Sequence, residues 1–241
     1  MPKLERIDWE TAASEIDDVG HARLPGVLGA RECASLERLY GDEARFRSFI
    51  EMRAHRFGEG AYRYFANPLP PLVRLLRQAL YPPLAAIANR WQERLGSDAR
   101  FPSRLEDFLA TCAAAGQTRP TPLLLRYAQG GFNNLHQDRY GDVAFPLQVT
   151  VLLSRSAGDA QRDGKPSDFT GGEFLLVEQR PRQQSRGEAI ALARGEAVVF
   201  PNTERPVPGA RRPYRASVRH GVSRLHSGRR VTLGLIFHDA R

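Results

Sequence analysis

The chain has 241 residues, 41% of them hydrophobic and 26% charged, which suits a globular protein with a sizeable core and excludes a disordered chain. No stretch reaches the roughly 18–20 apolar residues of a membrane helix. The N-terminus holds no apolar run ahead of a small-residue cleavage site, so the expected location is the cytoplasm.

The net charge of +8 is unevenly spread: from Arg180 to Arg230 there are twelve arginines and three acids, Glu188, Glu196 and Glu204. Such a field favours an anionic partner, DNA or RNA first, unless it only reflects an arginine-rich composition on solvated faces. Cys33 and Cys112 are far apart and outside any Cys-x-x-Cys pair, which predicts buried thiols.

In chain order, the first ~115 residues read as mostly helical. An amphipathic segment covers 9–19, a turn 20–26, and a second helix 30–40 with Cys33, Leu36 and Leu39 at helical spacing. The strongest helical pattern runs over 72–95, with a break expected at Pro82-Pro83. A further helix is expected over 105–115. After Pro120 the apolar runs become short, β-rich and separated by Gly and polar turns. Strands are expected at 123–127, 135–138, 147–153, 173–178, 189–192, 197–200, 215–222 and 230–238. Two segments, 154–170 and 203–213, read as flexible loops that could shape the mouth of a site. The expected fold class is α+β: a jelly-roll core over 119–241, with a helical support region over 1–118 packed on it as one integrated unit.

His136-Gln137-Asp138 places an imidazole and a carboxylate two residues apart, hence on one face of a strand. His220, on a distant predicted strand, supplies a third ligand. Two histidines and one carboxylate on one face of an ion make the facial triad of non-haem iron(II) oxygenases, with open positions for a chelating co-substrate and dioxygen. Arg230 lies ten residues further on. It shares a strand face with Thr232, so a guanidinium that can grip a carboxylate with two hydrogen bonds would point inward beside a hydroxyl. His226 is the rival third ligand, but it lies only four residues before Arg230, in a stretch that reads as a turn. His21, His55 and His238 read as structural or surface residues. Asn133 and Asn134, in the turn before His136, would brace that turn or touch substrate.

With His136, Asp138, His220 and Arg230, residues 121–241 resemble the 2-oxoglutarate/iron(II) dioxygenase superfamily, a double-stranded β-helix (cupin-like) fold. The stretch Leu125-Arg126-Tyr127-Ala128-Gln129-Gly130 resembles its prolyl-hydroxylase branch, as do Gly171-Gly172-Glu173-Phe174 and Gly195-Glu196-Ala197-Val198-Val199-Phe200. The same Gly-Gly-Glu-Phe echoes a diguanylate-cyclase signature, but it lacks the second acid before Phe and an alternating βα context. Across nearly the whole chain, Arg63-Tyr64-Phe65, Ala88-Asn89-Arg90-Trp91, Leu135-His136-Gln137-Asp138 and Phe237-His238-Asp239-Ala240 resemble a bacterial oxygenase family proposed to demethylate damaged nucleobases.

The resemblance implies Fe(II), 2-oxoglutarate and O2 as cofactor and co-substrates. It implies iron on His136, Asp138 and His220, and the far carboxylate of 2-oxoglutarate on Arg230, Thr232 and Tyr127. The implied reaction is C–H hydroxylation, which at an N-methyl group of an alkylated base amounts to demethylation. Two alternatives stay open at this point: a prolyl or other protein or small-molecule hydroxylase, and a non-catalytic basic β-barrel that binds metal or nucleic acid.

Overall fold

The computed structural model describes residues 2, 4–138 and 140–241. Four of its helices fall where the apolar spacing puts them: α1 (Trp9–Val19), α2 (Ala30–Leu39), α3 (Pro71–Arg94) and α4 (Leu105–Ala114). In α1 the Asp8 carboxylate accepts the Thr11 N–H at 3.0 Å, and Gly20 closes the helix at φ +90°. A Cβ at Gly20 would also sit 2.9 Å from Arg205 Nε, so that position has a second reason to be glycine. The helix α3 runs through Pro82 and Pro83 without the expected break. Two prolines remove two helical N–H donors, but Leu80, Tyr81, Leu84 and Ala85 are buried on either side of them. Burying each large side chain contributes about 1.5–3 kcal/mol, which offsets the loss.

The strands are β1 (Ala22–Leu24), β2 (Phe46–Glu51), β3 (Gly58–Glu59), β4 (Ala61–Phe65), β5 (Leu123–Ala128), β6 (Phe132–His136) and β7 (Leu147–Leu152), then β8 (Phe169–Gly171), β9 (Phe174–Gln179), β10 (Arg186–Ile190), β11 (Ala197–Pro201), β12 (Glu204–Val207), β13 (Tyr214–Val222) and β14 (Leu225–Leu235). All pair antiparallel. One sheet has the order β1-β11-β7-β14-β5-β4-β2, with β8 added on β14. The other has β10-β9-β13-β6-β3, with β12 added on β13.

Strand alternation explains the layering. On β14, Val231, Leu233 and Leu235 face one way and join Leu80, Tyr81, Leu84 and Trp91 of α3 in the main core. Arg230, Thr232 and Gly234 face the other way, into the space between the sheets. A second core closes that space with Tyr127, Phe174, Leu176, Phe200 and Val218. Cys33 and Cys112 are free and buried, as expected. Among the described residues, no helix is long and apolar enough to cross a membrane.

The first ~115 residues are less helical than expected. They contribute β1, β2 and β4 to the larger sheet and β3 to the smaller one. Charged residues interrupt β2 and β4, which hid their apolar pattern. In the fold those arginines lie over rings: Arg63 is 5.0 Å from the centre of Phe49 and Arg47 4.5 Å from that of Tyr64. The cations thereby cover apolar surface as their neighbours do. The segment 154–170, expected as a loop, carries the helix α5 (Ala157–Asp163), started by a Ser156–Asp159 capping box. Residues 204–207, within the other expected loop, form β12.

Arg205 is almost fully buried and ties three elements together. Its Nε donates to Glu178 Oε2 at 2.5 Å, and its Nη1 donates to the Asp17 carbonyl at 2.7 Å. Burial alone would raise the Glu178 pKa. Hydrogen bonds from Arg180 and Arg205 outweigh it and hold the carboxyl below its ordinary value. Because the folded pKa is depressed, this stabilisation is present above about pH 4.3, the usual unfolded value, and fades as pH falls through the folded one. Arg205→Ala is expected to destabilise the fold by about 1–3 kcal/mol, since it takes one of two guanidinium partners from the buried Glu178 and removes the donor to the Asp17 carbonyl. Urea unfolding at pH 7 checks this, and a loss below about 1 kcal/mol would contradict it.

Candidate active site

The three predicted metal ligands meet in one cavity between the sheets. His136 ends β6 and His220 lies directly opposite it on β13, with their ring centres 4.2 Å apart. Asp138 follows two residues after His136. Its Oδ2 is 3.4 Å from His220 Nε2, and its Oδ1 is 3.8 Å from His136 Nε2. One donor atom from each residue lies within 4.8 Å of the other two, close enough for a single ion.

The surroundings prepare these groups as ligands. His136 Nδ1 donates to the Asn134 carbonyl at 2.7 Å, which fixes the tautomer and leaves the Nε2 lone pair toward Asp138. Burial, then the neighbouring His220, lowers the His136 pKa, so its ring is neutral near pH 7. Asp138 is pushed up by burial. The two imidazoles and the Tyr140 hydroxyl outweigh that and hold it well below the usual carboxylate range. Tyr140 donates to Asp138 Oδ1 at 2.8 Å and accepts from the Tyr64 hydroxyl at 2.9 Å. Gln137, on the opposite face, donates to the Thr203 and Val218 carbonyls at 2.7 and 2.8 Å and pins the metal strand. Phe174 and Phe200 pack on the His220 ring at centre distances of 6.0 and 4.7 Å.

Along the wall of the same cavity, β14 sets Arg230 against Tyr127 of β5 and Thr232 against Leu125. All three predicted co-substrate residues are 2% exposed or less. Among the described residues, Arg230 Nε and Nη1 are buried without a hydrogen-bond partner, and so is the Tyr127 hydroxyl. Burial pulls the Arg230 guanidinium down to about 10, against Tyr127 and Glu173, and it pushes the Tyr127 hydroxyl up to about 12. A buried cation without a carboxylate is costly unless a ligand supplies one. The donor sets therefore suit both groups: two imidazoles and a carboxylate for Fe(II), and a guanidinium with two hydroxyls for a dicarboxylate end.

The cavity has a volume of about 410 Å³ and is lined by Tyr62, Tyr64, Gln148, Thr150 and Ile236 besides the residues above. Such a size is ordinary for a small-molecule site. Its mouth is formed by Arg56, Phe57, Asn134 and Leu135. Neither 154–170 nor 203–213 lines it, so the two segments expected at the mouth lie elsewhere. His226 is exposed and outside the cavity, as the spacing argument requires, while His238 is fully buried with its Nδ1 accepting the Phe145 N–H. Asn134 lies within β6 rather than in a turn; its carbonyl accepts from His136 Nδ1 and its amide donates to the Arg56 carbonyl at 3.0 Å.

Tyr140, Tyr64, Arg56 and Phe57 were missed from sequence. Tyr140 had a readable signal, since period two from Asp138 puts it on the same face, but the other three come from a distant segment. Tyr140→Phe removes one hydrogen bond to a ligand oxygen. It is expected to weaken iron binding about tenfold with the fold intact. Iron titration read out by 2-oxoglutarate-dependent absorbance checks this, and an unchanged Kd would show that Tyr140 does not orient Asp138.

Two layers of antiparallel strands around a His-Asp-His cluster are the architecture of the 2-oxoglutarate/Fe(II) oxygenases. Solved structures with this fold include an oxidoreductase of that family from Burkholderia pseudomallei (17% identity, TM-score 0.54, covering 98% of this chain and 94% of that one). Another is a prolyl hydroxylase from Trichoplax adhaerens, solved with a hypoxia inducible factor peptide (15%, TM-score 0.56, 98% and 91%). A family model described as "Oxygenase, catalysing oxidative methylation of damaged DNA" matches residues 60–240, and the chain belongs to this oxygenase family. An uncharacterised protein of Mycobacterium tuberculosis is 42% identical over 236 residues, 98% of this chain and 92% of the relative.

Proposed function

We propose that this oxygenase removes methyl groups from alkylated bases of nucleic acid, with Fe(II) on His136, Asp138 and His220 and 2-oxoglutarate on Arg230, Thr232 and Tyr127. The observation that carries this reading is the buried, unpartnered Arg230 in the same cavity as the His-Asp-His cluster. When bound, iron and 2-oxoglutarate with O2 supply the oxidant, one oxygen atom going to succinate and the other to the substrate C–H bond.

The chain's own residues then have defined tasks. Arg230 and its two hydroxyl neighbours orient the far carboxylate of the co-substrate. Asn134 and Tyr140 aim the ligands, and the aromatic wall of Tyr62, Tyr64 and Tyr127 keeps water from the reacting carbon. Hydroxylation of an N-methyl group gives N–CH2OH, which releases formaldehyde and leaves N–H on the base. Oxidation at such a carbon takes a methyl off nitrogen and adds none, so demethylation is the direction inferred.

The basic field of the C-terminal half needs restating. Of its twelve arginines, Arg205 and Arg230 are buried, and Arg180, Arg186 and Arg215 pair with Glu178, Glu188 and Glu204. Arg194 donates to the Leu153 carbonyl. Arg224 donates to the Gly130 carbonyl at 3.0 Å and lies over the Phe132 ring. The five that remain, Arg182, Arg211, Arg212, Arg219 and Arg229, are exposed and supply sequence-independent attraction for phosphate in this reading. The enzyme would then work in the cytoplasm beside its nucleic acid.

Incubation of the iron-loaded enzyme with 2-oxoglutarate and a panel of methylated oligonucleotides tests the proposal. Succinate and formaldehyde are expected in equal amounts. No formaldehyde from any methylated nucleic acid, with turnover on proline-containing peptides instead, would sink it.

A further inference from the structure

The mouth of the cavity combines exposed apolar side chains with an unpaired cation. Phe57 is 46% exposed and Leu135 42%, although both line the site. One face of Phe57 is stacked on His55, with ring centres 5.4 Å apart and planes 21° from parallel, and the rest of the ring is open. Next to it, Arg56 is exposed and its guanidinium forms no ion pair among the described residues, whereas the nearby Arg53 is held by Glu59 at 2.6 Å.

This rim is fixed in place. Arg56 adopts a left-handed backbone (φ +60°), a conformation that disfavours a side-chain-bearing residue by about 1–2 kcal/mol. The Arg56 carbonyl accepts from the Asn134 amide at 3.0 Å, and the Phe57 carbonyl accepts the Asn134 N–H at 2.8 Å. Gly58 then pairs with Asn133 on β6. The rim is thus bolted to the strand that ends in His136. A strained residue held this firmly beside a cavity points to a use for its side chain.

A braced aromatic plane beside a free cation fits a particular partner. Bases stack on aromatic faces in single strands, and a guanidinium takes the intervening phosphate. In a duplex the bases are stacked on one another, so neither the cavity nor the ring is reachable without unpairing. Building on the demethylase reading, we infer that Arg56 and Phe57 form a reading rim for single-stranded DNA. Phe57 stacks on the base next to the one in the cavity, and Arg56 holds the phosphate between them. Leu135 completes the apolar edge.

The test compares two substrates on the iron- and 2-oxoglutarate-loaded enzyme: a short oligothymidylate carrying one N1-methyladenine, and the free N1-methyladenosine nucleoside. Phe57→Ala is expected to raise KM for the oligonucleotide about ten- to a hundredfold and KM for the nucleoside far less, with Phe57→Trp restoring the oligonucleotide KM. Arg56→Gln is expected to flatten the slope of log KM against log salt by about 0.7 for the oligonucleotide. The inference is overturned if the wild type demethylates the oligonucleotide and both variants match it. It is also overturned if the nucleoside KM rises as much as the oligonucleotide KM, or if Phe57→Trp fails to rescue, since a merely structural Phe57 gives those results. If the wild type demethylates neither substrate but consumes 2-oxoglutarate with a peptide, the demethylase reading itself fails and takes this inference with it.

Discussion

Asp138→Ala is expected to give a folded protein that holds no iron and makes no succinate. Asp138 is the one carboxylate of the cluster, and it sits between the two imidazoles at 3.4 and 3.8 Å. Two imidazoles alone offer a divalent ion no charge compensation. The metal supplies the whole of the chemistry, so activity falls to background rather than by a modest factor. His136→Ala should do the same, because the tautomer set by Asn134 presents its Nε2 to the ion. His226→Ala should retain full iron, since that side chain is exposed and outside the cavity. Plasma mass spectrometry of each variant after anaerobic loading decides the matter. Iron content equal to wild type in both Asp138→Ala and His136→Ala would refute the metal site.

Arg230→Ala has a different signature. Two charge-assisted hydrogen bonds to one carboxylate are worth about 3 kcal/mol together, so KM for 2-oxoglutarate should rise roughly a hundredfold. The iron content should be unaffected, because Arg230 touches none of the three ligands. Stability should respond in an unusual way. In the absence of 2-oxoglutarate, Arg230 is a desolvated cation with two unpaired N–H groups, so its removal should cost the fold little. The wild type should gain about 2.7 kcal/mol of stability at a hundredfold excess of 2-oxoglutarate over its Kd, and the variant almost none at that concentration. Thermal shifts with and without the co-substrate measure both effects. An equal shift in the two proteins would remove Arg230 from the co-substrate site.

Part of the site was legible through strand alternation, since Arg230 and Thr232 are two apart on β14 and face the same space. His136 and Asp138 also face it, but β6 covers Phe132–His136 rather than the expected 135–138, so Asp138 reaches the cavity from just past the strand's end. The choice of His220 over His226 rested on distance from Arg230, and the register that sets His220 opposite His136 gives it a structural basis. The jelly-roll core was legible for a related reason, since its strands are aliphatic and bounded by glycine. Where reading failed, the apolar character was borne by rings and arginine stems. Phe46, Phe49, Tyr62 and Tyr64 lie in β2 and β4 among charged residues, and that pattern resembles an exposed helix as much as a strand. Basic residues misled in a second way. Seven of the twelve late arginines are engaged by carboxylates, carbonyls or burial, and no count along the chain separates those from the other five. The mouth loops were misplaced because polar composition marks a segment as exposed without saying which end of a barrel it occupies.

The pairing of β4 with β5 has a bearing on how this enzyme can be cut or rebuilt. Every proposed ligand for iron lies after residue 119, which invites a minimal version made of that half alone. Such a fragment would uncover the edge of β5 along 123–126, and an open, apolar strand edge recruits other chains. It would also lose Tyr64, the outer member of the hydroxyl chain to Asp138, and the rim at 56–57. Grafting this active site onto another scaffold therefore means transplanting β3 and the β2–β4 pair with it. Recombination between relatives should tolerate crossovers at the exposed segment 96–100 far better than anywhere from 46 to 65.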